Sequence, residues 1–165
     1  MQPVDLYSFA TYFGACAPGR DDALAKLDAL IQKHDANAVT TNRPSGPELP
    51  CKHVFPKYQP NLKFGWGEVC QALGITDGYK ITMRPVPFDA VRDVPTDELI
   101  ATQPVVKANV IKGAINKPLA VWSKQETPLF VYKDNKYYVF DGHHRVAAAI
   151  LLGLSHVTGQ VVDLT

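Results

Sequence analysis

The spacing of apolar positions changes along the chain, and each change marks an element. Between Asp21 and Asp35, Ala23, Leu24, Leu27, Leu30 and Ile31 recur at helical spacing with Asp, Lys and Gln between them, which predicts an amphipathic helix. Asp21 and Asp22 near its start and Lys33 and His34 near its end complement the helix dipole. Residues 42–61 have no such period. Asn42 to Pro50 carries three prolines and one glycine in nine residues, and Pro56 and Pro60 follow, so a long Pro-stiffened loop is predicted. Trp66–Leu73 reads as a short helix stopped by Gly74. Thr76-Asp77-Gly78 then turns the chain into a strand over 79–84, which Pro85 and Pro87 end.

The C-terminal half is more regular. Val105 to Ile115 predicts a helix with Val106, Val110, Ile111 and Ala114 inward, ended by Asn116-Lys117-Pro118. Pro128–Tyr132 and Lys136–Phe140 are apolar, β-branched or aromatic runs joined by Lys133-Asp134-Asn135, which predicts an antiparallel hairpin. His143–Leu152 is apolar nearly all round and predicts a helix buried on several sides, with Gly153 as its C-terminal cap and a last strand over His156–Leu164. The pattern is that of an α+β protein, with sheet and helices layered on a core. A boundary is expected near residues 85–92, giving an N-terminal extension (1–90) and a C-terminal domain (91–165).

Composition narrows the function classes. With 46% hydrophobic and 20% charged residues in 165, the chain can bury a sizeable core. A formal net charge of +1 supplies no basic excess for tight non-specific DNA binding. Lys52, His53, Lys57, Tyr58 and Lys63 nevertheless mix cations with aromatics, a composition suited either to a solvated loop or to a surface tracking a nucleic-acid backbone. Cys16, Cys51 and Cys70 are far apart without a C-x-x-C pair, so reduced thiols are expected and a zinc site is not. No apolar run has the length of a membrane span and no signal-peptide pattern opens the chain. The expectation is a protein without a membrane partner, cytoplasmic or delivered by a specialised secretion system.

The chemistry concentrates where the strand 137–140 meets the helix beginning at His143. The first turn of a helix presents unpaired N–H groups and the positive end of the dipole to a phosphate or carboxylate. Asp141, Gly142, His143, His144 and Arg145 crowd that junction. Arg145 suits bidentate gripping of phosphate oxygens, and His144 suits phosphate binding or general acid/base work. Asp141 reads equally as a helix N-cap and as a carboxylate that binds a divalent metal or orients a histidine.

Asp141-Gly142-His143-His144-Arg145, preceded by a strand and followed by Val146-Ala147-Ala148-Ala149 and Gly153, resembles the signature of the ParB/sulfiredoxin-like superfamily. Val94 to Pro104, with Thr102-Gln103-Pro104, resembles the upstream block of these domains, and Pro128–Tyr132 the strand that leads into the signature. The resemblance covers about residues 91–163 in the expected order. It implies a small mixed sheet with packed helices. His143 stands where sulfiredoxins carry their nucleophilic cysteine, and the Asp-Gly-His-His-Arg form is nearer to the phage- and toxin-associated ParB-like nucleases.

From that resemblance the expected activity is phosphate handling, foremost metal-assisted phosphodiester cleavage. The alternatives are an ATP- or ADP-dependent small-molecule kinase or nucleotide hydrolase, and a non-catalytic nucleotide- or DNA-binding module. The implied catalytic residues are Asp141, His143, His144 and Arg145. Gly142, Arg145, Thr102 and Gln103 would contact phosphate or nucleotide, and Glu98 is the nearest candidate for a kinase's acid/base carboxylate. Mg²⁺ or Mn²⁺ held by Asp141, and an ATP- or CTP-like nucleotide, are the implied cofactors. Nucleic acid or nucleotide is the implied partner, with a protein partner conceivable through residues 1–90.

Overall fold

Alternate side chains of the central strands enter two different cores. In the computed structural model, which describes residues 19–35, 46–75, 86, 88–116 and 127–165, five helices and eight strands are present. The helices are α1 (Arg20–Asp35), α2 (Cys51–Val54), α3 (Trp66–Leu73), α4 (Ala108–Asn116) and α5 (His143–Leu151). The strands are β1 (Glu48–Pro50), β2 (Lys57–Tyr58), β3 (Val91–Pro95), β4 (Leu99–Ala101), β5 (Val105–Lys107), β6 (Leu129–Lys133), β7 (Lys136–Asp141) and β8 (His156–Asp163). Six of them form a mixed sheet in the order β2-β4-β7-β6-β8-β3, and β1 pairs with β5 separately.

Leu99 and Ala101 of β4, Phe130 of β6 and Val139 of β7 face α1, α4 and α5, packing with Leu27, Ile111 and Val146. Ile100, Leu129, Val131, Tyr138 and Val162 face the other way, onto Phe64 and onto Val69 and Cys70 of α3. Strands covered on both faces carry apolar residues at every position, which is why β6 and β7 read as continuous runs. The hairpin between them closes through Asp134 (φ 53) and Asn135 (φ 63). Two successive left-handed residues twist the turn in the sense of the flanking strands.

The segment expected to be a loop is built into the fold where it is described. β1 pairs antiparallel with β5, and β2 adds to the sheet parallel to β4. The prolines fit because their flanking groups carry the pairing: Ala108 N–H donates to Pro47 O and Cys51 N–H to Pro104 O, each at 2.9 Å. Leu49 and Cys51 anchor the stretch with no exposed surface. Ala23, Leu27, Leu49, Cys51, Val54 and Phe55 thus share a core with α4 and α5.

The helix expected over 105–115 starts three residues later. Val105 and Val106 are β-branched, favour extended backbone, and find a partner strand in β1. Starting the helix at Ala108 turns Ile111, Ala114 and Ile115 inward and leaves Val110 42% exposed, a correction to the predicted inward face. α1 and α3 begin within a residue of their expected starts, and α5 ends as anticipated. Gly153 adopts φ +75, with Gly153 N–H donating to Ile150 O and Leu154 N–H to Ala149 O, both at 3.0 Å. The strand expected over 79–84, the turn at 76–78, the Lys117-Pro118 stop and Cys16 lie outside the described residues. No described helix is long and apolar enough to cross a membrane.

Candidate functional site

β4 and β7 are parallel neighbours, so their carboxyl ends emerge side by side, the place where open α/β sheets offer a crevice. Thr102 follows β4 there, and Gly142 follows β7. Gly142 takes φ +95, and a Cβ on it would lie 3.0 Å from Pro128 Cβ and 3.1 Å from its Cα, so no other residue fits without displacement. Gly142 is the N-cap of α5, and its carbonyl accepts the N–H groups of Arg145 and Val146 at 3.1 Å each. Asp141 is the last residue of β7, so the N-cap reading of Asp141 is replaced by one in which the glycine makes the turn. The His143 and His144 amides fall on the first helical turn, ahead of the intrahelical ladder.

Both imidazoles are held by backbone donors. His143, only 3% exposed, accepts the Thr102 N–H on Nε2 at 3.0 Å, while the Thr102 hydroxyl donates to Val139 O at 2.6 Å. Phe55 meets the His143 ring edge-on at 5.8 Å. Burial, with the neighbouring His144 adding to it, pushes the His143 pKa down to about 3. The half-buried His144 accepts the Lys107 N–H on Nε2 at 3.0 Å, and burial, then the Lys107 charge, lowers its pKa as well. An imidazole that accepts at Nε2 is neutral and carries its proton on Nδ1. Neither Nε2 therefore offers a lone pair to a substrate proton or a metal. What each ring retains is an Nδ1–H donor, and what the pair accomplishes is to fasten residues 102–107 against the first turn of α5.

The remaining expected site residues divide by position. Thr102 and Gln103 sit in the loop so fastened, where Gln103 Nε2 donates to Val105 O at 2.8 Å. Asp141 and Arg145 are half-buried on either side of the Gly142 turn. Glu98 stands apart, before the first residue of β4, in register with the hairpin end of β7. The three residues of β4 lie between it and Thr102, a span of four residue steps or about 13 Å at the rise of an extended chain. It lines instead a cleft of about 340 Å³ with Lys57, Tyr58, Gln59, Lys136 and Tyr137. Among the described residues no group of three or more His, Cys, Asp or Glu side chains is arranged to hold a metal. Cys51 is buried with its thiol pushed up to about 12, which leaves it protonated and inert.

Three contributors to this site had no signal in the sequence. The Lys107 N–H and the Phe55 ring act through backbone position and packing, which depend on β1 and α2 arriving from distant sequence. Phe140 is the third. The β6–β7 register shifts so that Leu129 opposes Asp141 while Phe130 opposes Val139, which makes Phe140 the extra residue of a bulge. Of the residues whose mix of cations and aromatics suited either a solvated loop or a nucleic-acid surface, Lys52, His53, Lys57 and Lys63 are exposed and Tyr58 is half-buried. Comparison with family models, with curated proteins and with solved structures finds no match to this chain.

Proposed function

We propose that the protein is a phosphate-handling enzyme that cleaves phosphodiester bonds at the Gly142–Arg145 turn. The observation that carries the reading is the double histidine fastening, which brings the Thr102–Lys107 segment to a helix N-terminus at the carboxyl ends of two parallel strands. Thr102 and the Gly142–Arg145 turn lie in the two blocks on which the resemblance to ParB-like nucleases rests. In this reading the first-turn amides and Arg145 grip the non-bridging phosphate oxygens, a geometry suited to charge that develops in the transition state. The His144 Nδ1–H serves as donor toward the leaving oxygen. The Asp141 carboxylate orients the attacking water. Mg²⁺ and Mn²⁺ take oxygen donors and are commonly held by one or two carboxylates together with substrate phosphate, a mode that Asp141 fits and the two Nε2 atoms do not. A divalent ion held there would supply neutralising charge for the phosphate.

The kinase reading loses support from the position of Glu98 at the far end of β4. A non-catalytic nucleotide- or nucleic-acid-binding module is favoured by one specific feature, the commitment of both imidazole Nε2 atoms to backbone donors. Incubation of the wild type and Arg145→Ala with plasmid DNA, RNA and ATP separately, with Mg²⁺ or Mn²⁺, separates the three. The proposal expects nucleic acid to be cut by the wild type and cutting to fall about 100-fold or more in the variant. Nucleic acid bound but intact with every metal would replace it with the binding module, and ATP consumed with nucleic acid untouched would restore phosphotransfer.

A further inference from the structure

Trp66 opens α3 with 56% of its surface in water, although Val69, Cys70 and Phe64 already bury that side of the sheet. An indole left this exposed contributes little to the core that its neighbours form. Its ring lies 4.8 Å from Phe140 at 59°, and Phe64 backs Phe140 at 6.3 Å. The bulge gives this cluster its place. Asp141 opposes Leu129, which faces the α3 side, and Phe140 packs on that same side. Phe140 therefore meets Trp66 near the end of β7, and two residues further on is Gly142 of the turn. An exposed aromatic face thus stands beside the point where the proposed phosphate site begins.

We propose that Trp66, supported by Phe140, is a stacking platform for an unpaired base of single-stranded nucleic acid, flanking the phosphodiester held at the turn. This rests on the phosphate-handling reading and names its substrate class. In a duplex the bases show only their edges, whereas an unstacked strand presents its faces, and an aromatic ring accepts any base by its π-face. Val110, the other large hydrophobic residue exposed among the described residues, is on α4, which packs on the opposite side of the sheet.

The chain has two tryptophans, so Trp122→Phe leaves Trp66 as the only indole reporter. Titrating that variant with a single-stranded oligothymidylate should quench its fluorescence saturably, and a duplex of equal length should do so far more weakly. In the wild-type background, Trp66→Ala should weaken single-strand binding roughly 5- to 150-fold, the span of one stacked base, with an unchanged thermal midpoint. Trp66→Tyr should restore most of the affinity. Pyrophosphate binding should be unaffected by Trp66→Ala and lost in Arg145→Ala. Single-strand affinity unchanged in Trp66→Ala, or equal affinity for duplex and single strand, overturns the platform and leaves the phosphate site standing. Failure of both pyrophosphate and nucleic acid to bind overturns both readings together.

Discussion

His143 contacts Thr102 through the nitrogen that a base or a metal ligand needs free, and this changes what its titration means. Its pKa is about 3 in the folded protein against an ordinary 6.5. Between those values an unfolded chain binds a proton at this site that the folded chain does not, so stability falls as pH drops through the window and levels off below about pH 3. The slope from this residue is about 1.4 kcal/mol per pH unit. His143→Gln keeps an acceptor for the Thr102 N–H without titrating. Urea midpoints measured from pH 3 to pH 7 should therefore fall less steeply toward acid in the variant than in the wild type, and identical slopes would refute a buried neutral His143. The strand, glycine turn and helix around residues 141–145 were legible in the sequence, because each carries its own local pattern. The orientation of the imidazoles was not, since Nε2 is aimed by Thr102 and Lys107, about 40 residues upstream.

Among the elements, those specified by their own sequence are the ones that read correctly. The amphipathic period of α1, the turn residues of the β6–β7 hairpin and the uniformly apolar α5 each carry local information. β1, β2 and β5 do not. Each is two or three residues long and exists because a distant partner takes its hydrogen bonds, so the prolines of 47–60 and the valines of 105–106 misled in opposite directions. The corrected start of α4 is checked by two substitutions. Val110→Asp should change stability by less than about 0.5 kcal/mol, as an exposed position allows. Ile111→Ala should cost about 2–4 kcal/mol, because it empties a site with no exposed surface. Equal costs in thermal melts would mean that the helix presents a different face.

For the whole molecule, the two cores set what the chain before residue 91 contributes. Leu27, Leu49, Cys51, Val54 and Phe55 pack with α4 and α5, and β2 covers the edge of β4. A fragment of residues 91–165 would expose that core face and leave the β2-facing edge of β4 unpaired, so it should show no cooperative melt, whereas the full chain should unfold in one transition. The same architecture positions the turn proposed to hold phosphate, since α2 and β1 brace the loop that the histidines hold. The most direct test of that site is an amide chemical-shift titration of the ¹⁵N-labelled full chain with pyrophosphate. The account predicts saturable shifts concentrated at Gly142, His143, His144 and Arg145, abolished in Arg145→Ala. Shifts scattered over the surface lysines, or none at the turn, would contradict it.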